Sequence, residues 1–196
     1  MDDAGRGGTR LAVFAFSRRG MDTARRIACA LEDAECRLYA AKRLAEGAFA
    51  PVEGPLADFT GPIFRREDAL VFVSSCGVAV RAVAPHVRSK SDDPAVIAVD
   101  ETARFAIPLL SGHIGGANRL AERLADALGA EAVVTTATDA NGRFSVDAWA
   151  AERGLCIDGL PEAKAVSAAI LEGDVPLKSD FPLAGSLPPG VTAGEA

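Results

Sequence analysis

One of the chain's two histidines, His113, sits in a short glycine-rich segment, Ser111-Gly112-His113-Ile114-Gly115-Gly116. An imidazole titrates near neutrality, so His113 can serve as general base, general acid or hydrogen-bond donor. The glycines around it allow a ligand or another stretch of backbone to come close. The competing reading is a tight turn that needs glycine for packing, with a histidine tying two loops together; the residues leave both readings open. The spacing is not G-x-G-x-x-G and no Gly-Lys-Ser/Thr follows, so neither common nucleotide loop is present. There is no G-x-S-x-G elbow for a nucleophilic serine and no His-Glu-x-x-His metal motif. Arg81 follows Gly77 at helical spacing and could reach a carboxylate. Asp92, Asp93, Asp100, Glu101 and Asp139 are the carboxylates available for base chemistry, most of them expected in turns or caps. Thr135, Thr136 and Thr138 supply hydroxyl donors.

The elements that must position these residues follow from the apolar pattern. Residues 105–110 read as a buried strand leading into the glycine segment. Residues 118–128 read as a helix, with Leu120, Leu124 and Leu128 on one face. A helix starting there aims unpaired N–H groups outward and attracts anions. Upstream, residues 10–16 form a strand, residues 17–20 a turn carrying Arg18 and Arg19, and residues 21–32 a helix. Residues 36–40 give a shorter strand, and residues 42–60 a loop with at most one helical turn. Residues 69–74 are a strand ending in Ser75-Cys76-Gly77, followed by a helix over 78–87 that Pro85 shortens or kinks. Residues 95–99 are a strand, and residues 100–104 a hairpin connection into Phe105. Residues 131–136 form a strand, Ser145 caps a short helix, and residues 161–171 form a last helix stopped by Gly173.

Strands alternating with helices predict an α/β fold with a doubly wound, mainly parallel sheet, a Rossmann-like three-layer arrangement. Such sheets bind ligands at the carboxyl ends of their strands. Turns at 17–20, 74–77, 111–116 and 135–139 are therefore expected to crowd one edge. The expected organisation is a leader over 1–9, a core over 10–174 and a Pro/Gly-rich tail or linker over 175–196.

The 196 residues suffice for one such core, and 49% hydrophobic with 24% charged residues is ordinary for a soluble protein. A net charge of −6 without a long basic stretch argues against a nucleic-acid partner. The four cysteines, Cys29, Cys36, Cys76 and Cys156, show no C-x-x-C pairing, and two histidines complete no zinc set. They are expected to be reduced and mostly buried. No apolar run approaches a membrane span and the start lacks a signal peptide's apolar core, so a cytoplasmic protein is expected.

Four blocks in order carry a family resemblance. They are Gly77-Val-Ala-Val-Arg-Ala-Val-Ala-Pro85, Lys90-Ser-Asp-Asp-Pro-Ala-Val96, Leu109-Leu-Ser-Gly-His-Ile-Gly-Gly-Ala-Asn118 and Thr135-Thr-Ala-Thr-Asp139. Together they resemble the CbiG family, cobalt-precorrin-5A hydrolases of the oxygen-independent route to cobalamin, over its N-terminal and central regions. The resemblance implies opening of the ring-A δ-lactone of cobalt-precorrin-5A to cobalt-precorrin-5B, with release of acetaldehyde. It implies a base that activates water, His113 or a nearby carboxylate, with His113 taken as the catalytic residue. Substrate contacts are implied at Gly77, Arg81, Ser111, Gly112, Gly115, Gly116, Asn118, Thr135, Thr136 and Asp139. The substrate is a cobalt-corrinoid that brings its own metal, so no protein metal site and no cofactor are expected. Members usually continue into a C-terminal domain, which here would act in trans. The alternative is a non-catalytic corrinoid-binding module that completes an enzyme with that separate domain.

Overall fold

The computed structural model describes residues 8–89 and 92–194. The chain divides into two compact units, Met1–Val133 and Val134–Ala196. The boundary thus falls well before residue 174, where the sequence reading ended the core. Residues 1–7 of the expected leader lie outside the described residues, and Thr9 already opens the first strand.

The first unit is built on a seven-stranded sheet in the order β3-β2-β1-β4-β5-β6-β7. Its strands are β1 (Thr9–Ala15), β2 (Ala34–Ala41), β3 (Phe49–Val52), β4 (Ala69–Val73), β5 (Ala95–Val99), β6 (Phe105–Leu110) and β7 (Glu131–Ala132). The first five run parallel. The expected α/β class and mainly parallel sheet are therefore what the chain adopts. Strands β1, β4 and β5 are continuous apolar runs because both sheet faces are covered. Leu11, Val13 and Ala15 point to one face with Val71, Val73, Ile97 and Val99. There they meet helices α1 (Arg18–Ala30) and α4 (Ala117–Leu128) through Met21, Ala24, Ile27, Ala121, Leu124 and Leu128. Ala12, Phe14, Leu70, Phe72, Val96 and Ala98 point to the other face, covered by α2 (Leu56–Phe64) and α3 (Cys76–Val83). Phe14 stacks on Phe72 at 4.7 Å between ring centroids and on Tyr39 at 5.1 Å.

Several local expectations need correction. Residues 42–60 contain strand β3 and the start of α2, not a loop. Pro51, Gly54, Pro55, Gly61 and Pro62 hide both elements from propensity, and packing overrides them. Gly61 is required there, since a Cβ would lie 2.7 Å from His86 Cε1. His86 in turn bonds the Ala57 carbonyl at 2.7 Å, so the second histidine ties α2 to the turn after α3. Only residues 131–132 of the expected strand 131–136 pair in the sheet. Pro85 does end α3, turning the chain into a single 3-10 turn. Cys29 and Cys156 are exposed, and Cys36 and Cys76 are half-buried, so the free cysteines are not the buried small hydrophobes expected.

The most consequential difference is at β6. It runs antiparallel to β5, with Val99 opposite Ala106 and Val96 opposite Leu110, and β7 follows its direction. The hairpin over 100–104 reverses the chain, so the end of β6 emerges at the opposite edge from the ends of β1 and β4. A single ligand edge gathering all four turns does not exist. Asp100 sets the reversal. Its carboxylate accepts the N–H groups of Thr102 at 3.0 Å, Arg104 at 2.7 Å and Phe105 at 2.7 Å, together with the Thr102 hydroxyl. Ala103 takes φ of 56° inside the turn.

The second unit contains α5 (Ala137–Ala140), α6 (Val146–Glu152), α7 (Leu160–Glu172) and two short parallel strands, β8 (Val175–Leu177) and β9 (Val191–Ala193). The Ser145 cap is as expected, its hydroxyl accepting the Ala148 N–H at 3.3 Å. The stretch over 175–196 is not simply a linker. β9 pairs with β8, and Phe144 donates its N–H to the Pro189 carbonyl at 2.9 Å. Gly190, at φ of 87°, lies where a Cβ would meet Ile170 Cγ2 at 2.7 Å.

Candidate functional site

The glycine turn follows β6 at the edge where β5 begins. Pro108 and Leu110 pair with Ile97 and Val96, leaving Leu109 as an extra residue, so a bulge re-aims the strand just before the turn. Ser111 then takes φ of 58°, a left-handed conformation uncommon for a residue with a side chain. Its hydroxyl donates to the Asp93 carbonyl at 2.9 Å. Asp93 is buried, and its carboxylate accepts the Arg88 N–H at 2.9 and 3.1 Å beside the turn.

Gly112 and Gly115 each answer a specific contact. A Cβ on Gly115 would lie 2.4 Å from Ser111 Cβ and 2.9 Å from its carbonyl oxygen. On Gly112 it would lie 2.8 Å from Asn118 Oδ1, and Asn118 is itself buried. Gly116 takes φ of 77° as the residue before α4, with open space around its Cβ position. The start of α4 is capped by the turn's own carbonyls. Ala117 donates to Ser111 at 3.1 Å, Asn118 to Gly112 at 3.0 Å, and Gly116 to His113 at 3.0 Å. These N–H groups, at the helix start that was expected to attract an anion, are therefore engaged inside the turn. The frame is self-packed, and half-buried His113 is the only titratable side chain it carries.

The other predicted residues fall elsewhere. Gly77 and Arg81 belong to α3, which starts at the carboxyl end of β4, and Arg81 Nη1 bonds the Gly77 carbonyl at 3.1 Å. That edge also holds Ser17, whose hydroxyl accepts the Gly20 N–H at 3.0 Å and donates to Glu101 at 2.5 Å. A five-residue strand, about 15 Å long, separates the edge from the glycine turn, so Gly77 and Arg81 do not join His113 around one small group. Thr135, Thr136 and Asp139 lie in the second unit. Thr136 precedes α5 and its hydroxyl donates to the Asp139 carboxylate, with no side-chain bond to the helix's backbone N–H groups. The contact of Asp93 with Ser111 is the part of the site that residue reading missed, although Asp93 and the block from Lys90 to Val96 were singled out. Its signal was present in Lys90-Ser-Asp-Asp-Pro94, but the Asp93 contact spans 18 positions. Lys90 and Ser91 lie outside the described residues. Among the described residues no group of three or more His, Cys, Asp or Glu is arranged to hold a metal ion. Among them no helix is long and apolar enough to cross a membrane.

Comparison with known proteins gives a consistent set of relatives. The family model described as cobalamin synthesis G N-terminal matches residues 58–139. A cobalt-precorrin-5A hydrolase of Salmonella typhimurium is 40% identical over 140 residues, covering 71% of this chain and 39% of that protein. One from Priestia megaterium is 30% identical over 167 residues, covering 82% of this chain and 44% of that protein. The chain thus spans less than half the length of these two relatives. In structure it resembles a cobalamin biosynthesis protein G homolog from Sulfolobus solfataricus, with a TM-score of 0.55 at 22% identity, over 93% of this chain and 52% of that one.

Proposed function

The chain belongs to the CbiG family, and from that premise we propose that it acts in cobalamin synthesis by opening the ring-A δ-lactone of cobalt-precorrin-5A. The products are cobalt-precorrin-5B and acetaldehyde. One observation carries the reading: the matched stretch over 58–139 contains the whole glycine turn, and the turn holds a histidine on a frame that packs against itself.

Lactone opening asks for a base that can take a proton from water and return it to the departing oxygen. His113 is proposed for both steps. Water oxygen bonds to the lactone carbonyl carbon, the ring C–O bond breaks, and the proton reaches the released oxygen. The freed hydroxyl then gives up its proton, the C–C bond joining its carbon to the macrocycle breaks with the electron pair left on the macrocycle and protonated there, and that carbon leaves with its methyl group as acetaldehyde. Ser111, Gly112, Gly115, Gly116 and Asn118 are proposed to shape the surface against which the macrocycle rests, with Arg88 on the neighbouring loop as a cation for its carboxylates. Cobalt belongs to the substrate, and no cofactor of the protein's own enters the scheme. The 39% and 44% coverage of the relatives favours a second reading, a corrinoid-binding module completed by a separate C-terminal domain. Acetaldehyde release by the isolated chain decides between them. Turnover supports the first, and substrate binding without turnover supports the second.

A further inference from the structure

Among the described residues of the first unit, the large apolar side chains left exposed are Val80 at 48% and Val87 at 45%. Both belong to the outer side of α3 and the turn that follows it. Ala79, Ala82 and Val83 are the buried side of that helix, packed on the sheet. Val80 and Ala84 are four residues apart and so lie one above the other on a helix. Past Val83 the chain makes a 3-10 turn over Ala84–His86, whose three-residue period sets Val87 over Ala84. Ala84 is exposed as well. Val80, Ala84 and Val87 therefore form one apolar stripe on one face, not scattered side chains. Beside it on the exposed side stand Arg81 and Arg88, about 10 Å apart along the axis at helical rise. Arg81 holds the Gly77 carbonyl through Nη1 and keeps its other N–H groups for a ligand. No Asp or Glu occurs from residue 69 to residue 91, in a chain whose net charge is −6. Asp92 and Asp93 follow, one accepting the Ser89 hydroxyl and the other the Arg88 N–H.

The stripe also joins the two edges of the sheet. It runs from Gly77 at the carboxyl end of β4 to Arg88, whose N–H is held by Asp93, and the Asp93 carbonyl accepts the Ser111 hydroxyl of the glycine turn. One small group does not touch both ends; a flat macrocycle does. We propose that the outer face of α3 is the platform on which the corrinoid ring lies. Val80, Ala84 and Val87 sit under the ring, while Arg81 and Arg88 pair with carboxylates on separate parts of its rim. Shape and charge select this occupant. A narrow apolar stripe takes a flat apolar face, and two cations held apart against the field of a negative protein take two separated carboxylates. That the occupant is cobalt-precorrin-5A rests on the functional reading above; the platform itself is a claim about binding.

The test is an absorbance titration of the full chain with cobyrinic acid, a corrin with free rim carboxylates, and with its heptamethyl ester, which keeps the ring and lacks the charges. The acid should bind at least tenfold more tightly than the ester, and its affinity should fall with added salt. Val80→Asp, Val87→Asp and Arg88→Glu should each weaken binding of the acid tenfold or more, with far-UV circular dichroism unchanged. All three side chains are exposed, so none of these changes empties the core. Arg43→Glu makes the same change of charge on the short turn after β2 and should leave the affinity as it is. Three results would overturn the proposal: no binding, binding indifferent to the three substitutions, or an equal loss in Arg43→Glu, which would show a general effect of charge. The probe has no lactone to open, so this failure and that of the functional reading are distinguishable. Acetaldehyde release with unchanged KM in Val80→Asp and Arg88→Glu would remove the platform and keep the hydrolase. Binding that the three substitutions weaken, in a chain that releases no acetaldehyde, would keep the platform and remove the hydrolase.

Discussion

At the scale of single residues, the motif around His113 is explained by contacts invisible in the sequence. Ser111 is bonded to Asp93, Gly115 sits against Ser111, and Gly112 sits against Asn118. The motif itself was legible, because glycine and histidine types are informative without coordinates. The reason for each glycine was not, because it depends on the path of a loop 18 positions away. Two outcomes follow. Gly115→Ala drives a methyl group into the Ser111 backbone and should lower the melting temperature clearly. Gly116→Ala has space and meets only the left-handed conformation, at a cost of about 1–2 kcal/mol. A thermal scan showing Gly116→Ala as the more damaging change would contradict this packing. The cap of α6 gives a smaller figure, since Ser145→Ala should cost about 1 kcal/mol in denaturant unfolding.

At the scale of elements, the hairpin over 100–104 decides the geometry of the site. The connection was legible as a hairpin, from the short polar stretch between two apolar runs. Its consequence for direction is what separates the Ser111 edge from the Ser17 and Ser75 edge, and strand-end chemistry alone does not reveal it. Burial by itself would raise the Asp100 pKa. The Thr102 hydroxyl and the N–H groups of Phe105, Arg104 and Thr102 outweigh burial and hold it below the ordinary carboxylate value. A depressed folded-state value means stability present above the unfolded pKa, about 4, and lost as pH falls through the folded value. Asp33 beside Arg123 and Asp68 beside Arg10 are depressed too, but both are surface pairs that salt screens. Denaturant midpoints measured in high salt should therefore fall on the acid side of pH 4, and Asp100→Asn should remove much of that fall. An unchanged acid slope in Asp100→Asn would show that the turn does not depend on the carboxylate.

At the scale of the whole molecule, the two units differ in how much core they hold. The first buries both faces of a sheet; the buried apolar side chains of the second are Ala150 and Ile170 among the described residues. The sequence showed the first as alternating strands and helices. Of the second it showed helices α6 and α7 but not the β8–β9 pair, because proline and glycine at 175–190 look like a linker unless Gly190 is known to fit against Ile170. Ile170→Ala should cost about 2–5 kcal/mol. Hydrogen exchange should show amides over 134–194 losing protection while those of β1, β4 and β5 keep theirs. Loss of protection throughout would mean that the units unfold together. The central claim concerns the activity of the whole, that the glycine turn presents His113 for lactone opening. Acetaldehyde released from cobalt-precorrin-5A tests it most directly, measured for the wild-type chain and for His113→Ala, each with the complementary part of the Salmonella typhimurium relative added. The account predicts release by the wild type and a loss of roughly 10²-fold or more in a folded His113→Ala protein. Equal release by the two proteins would contradict it.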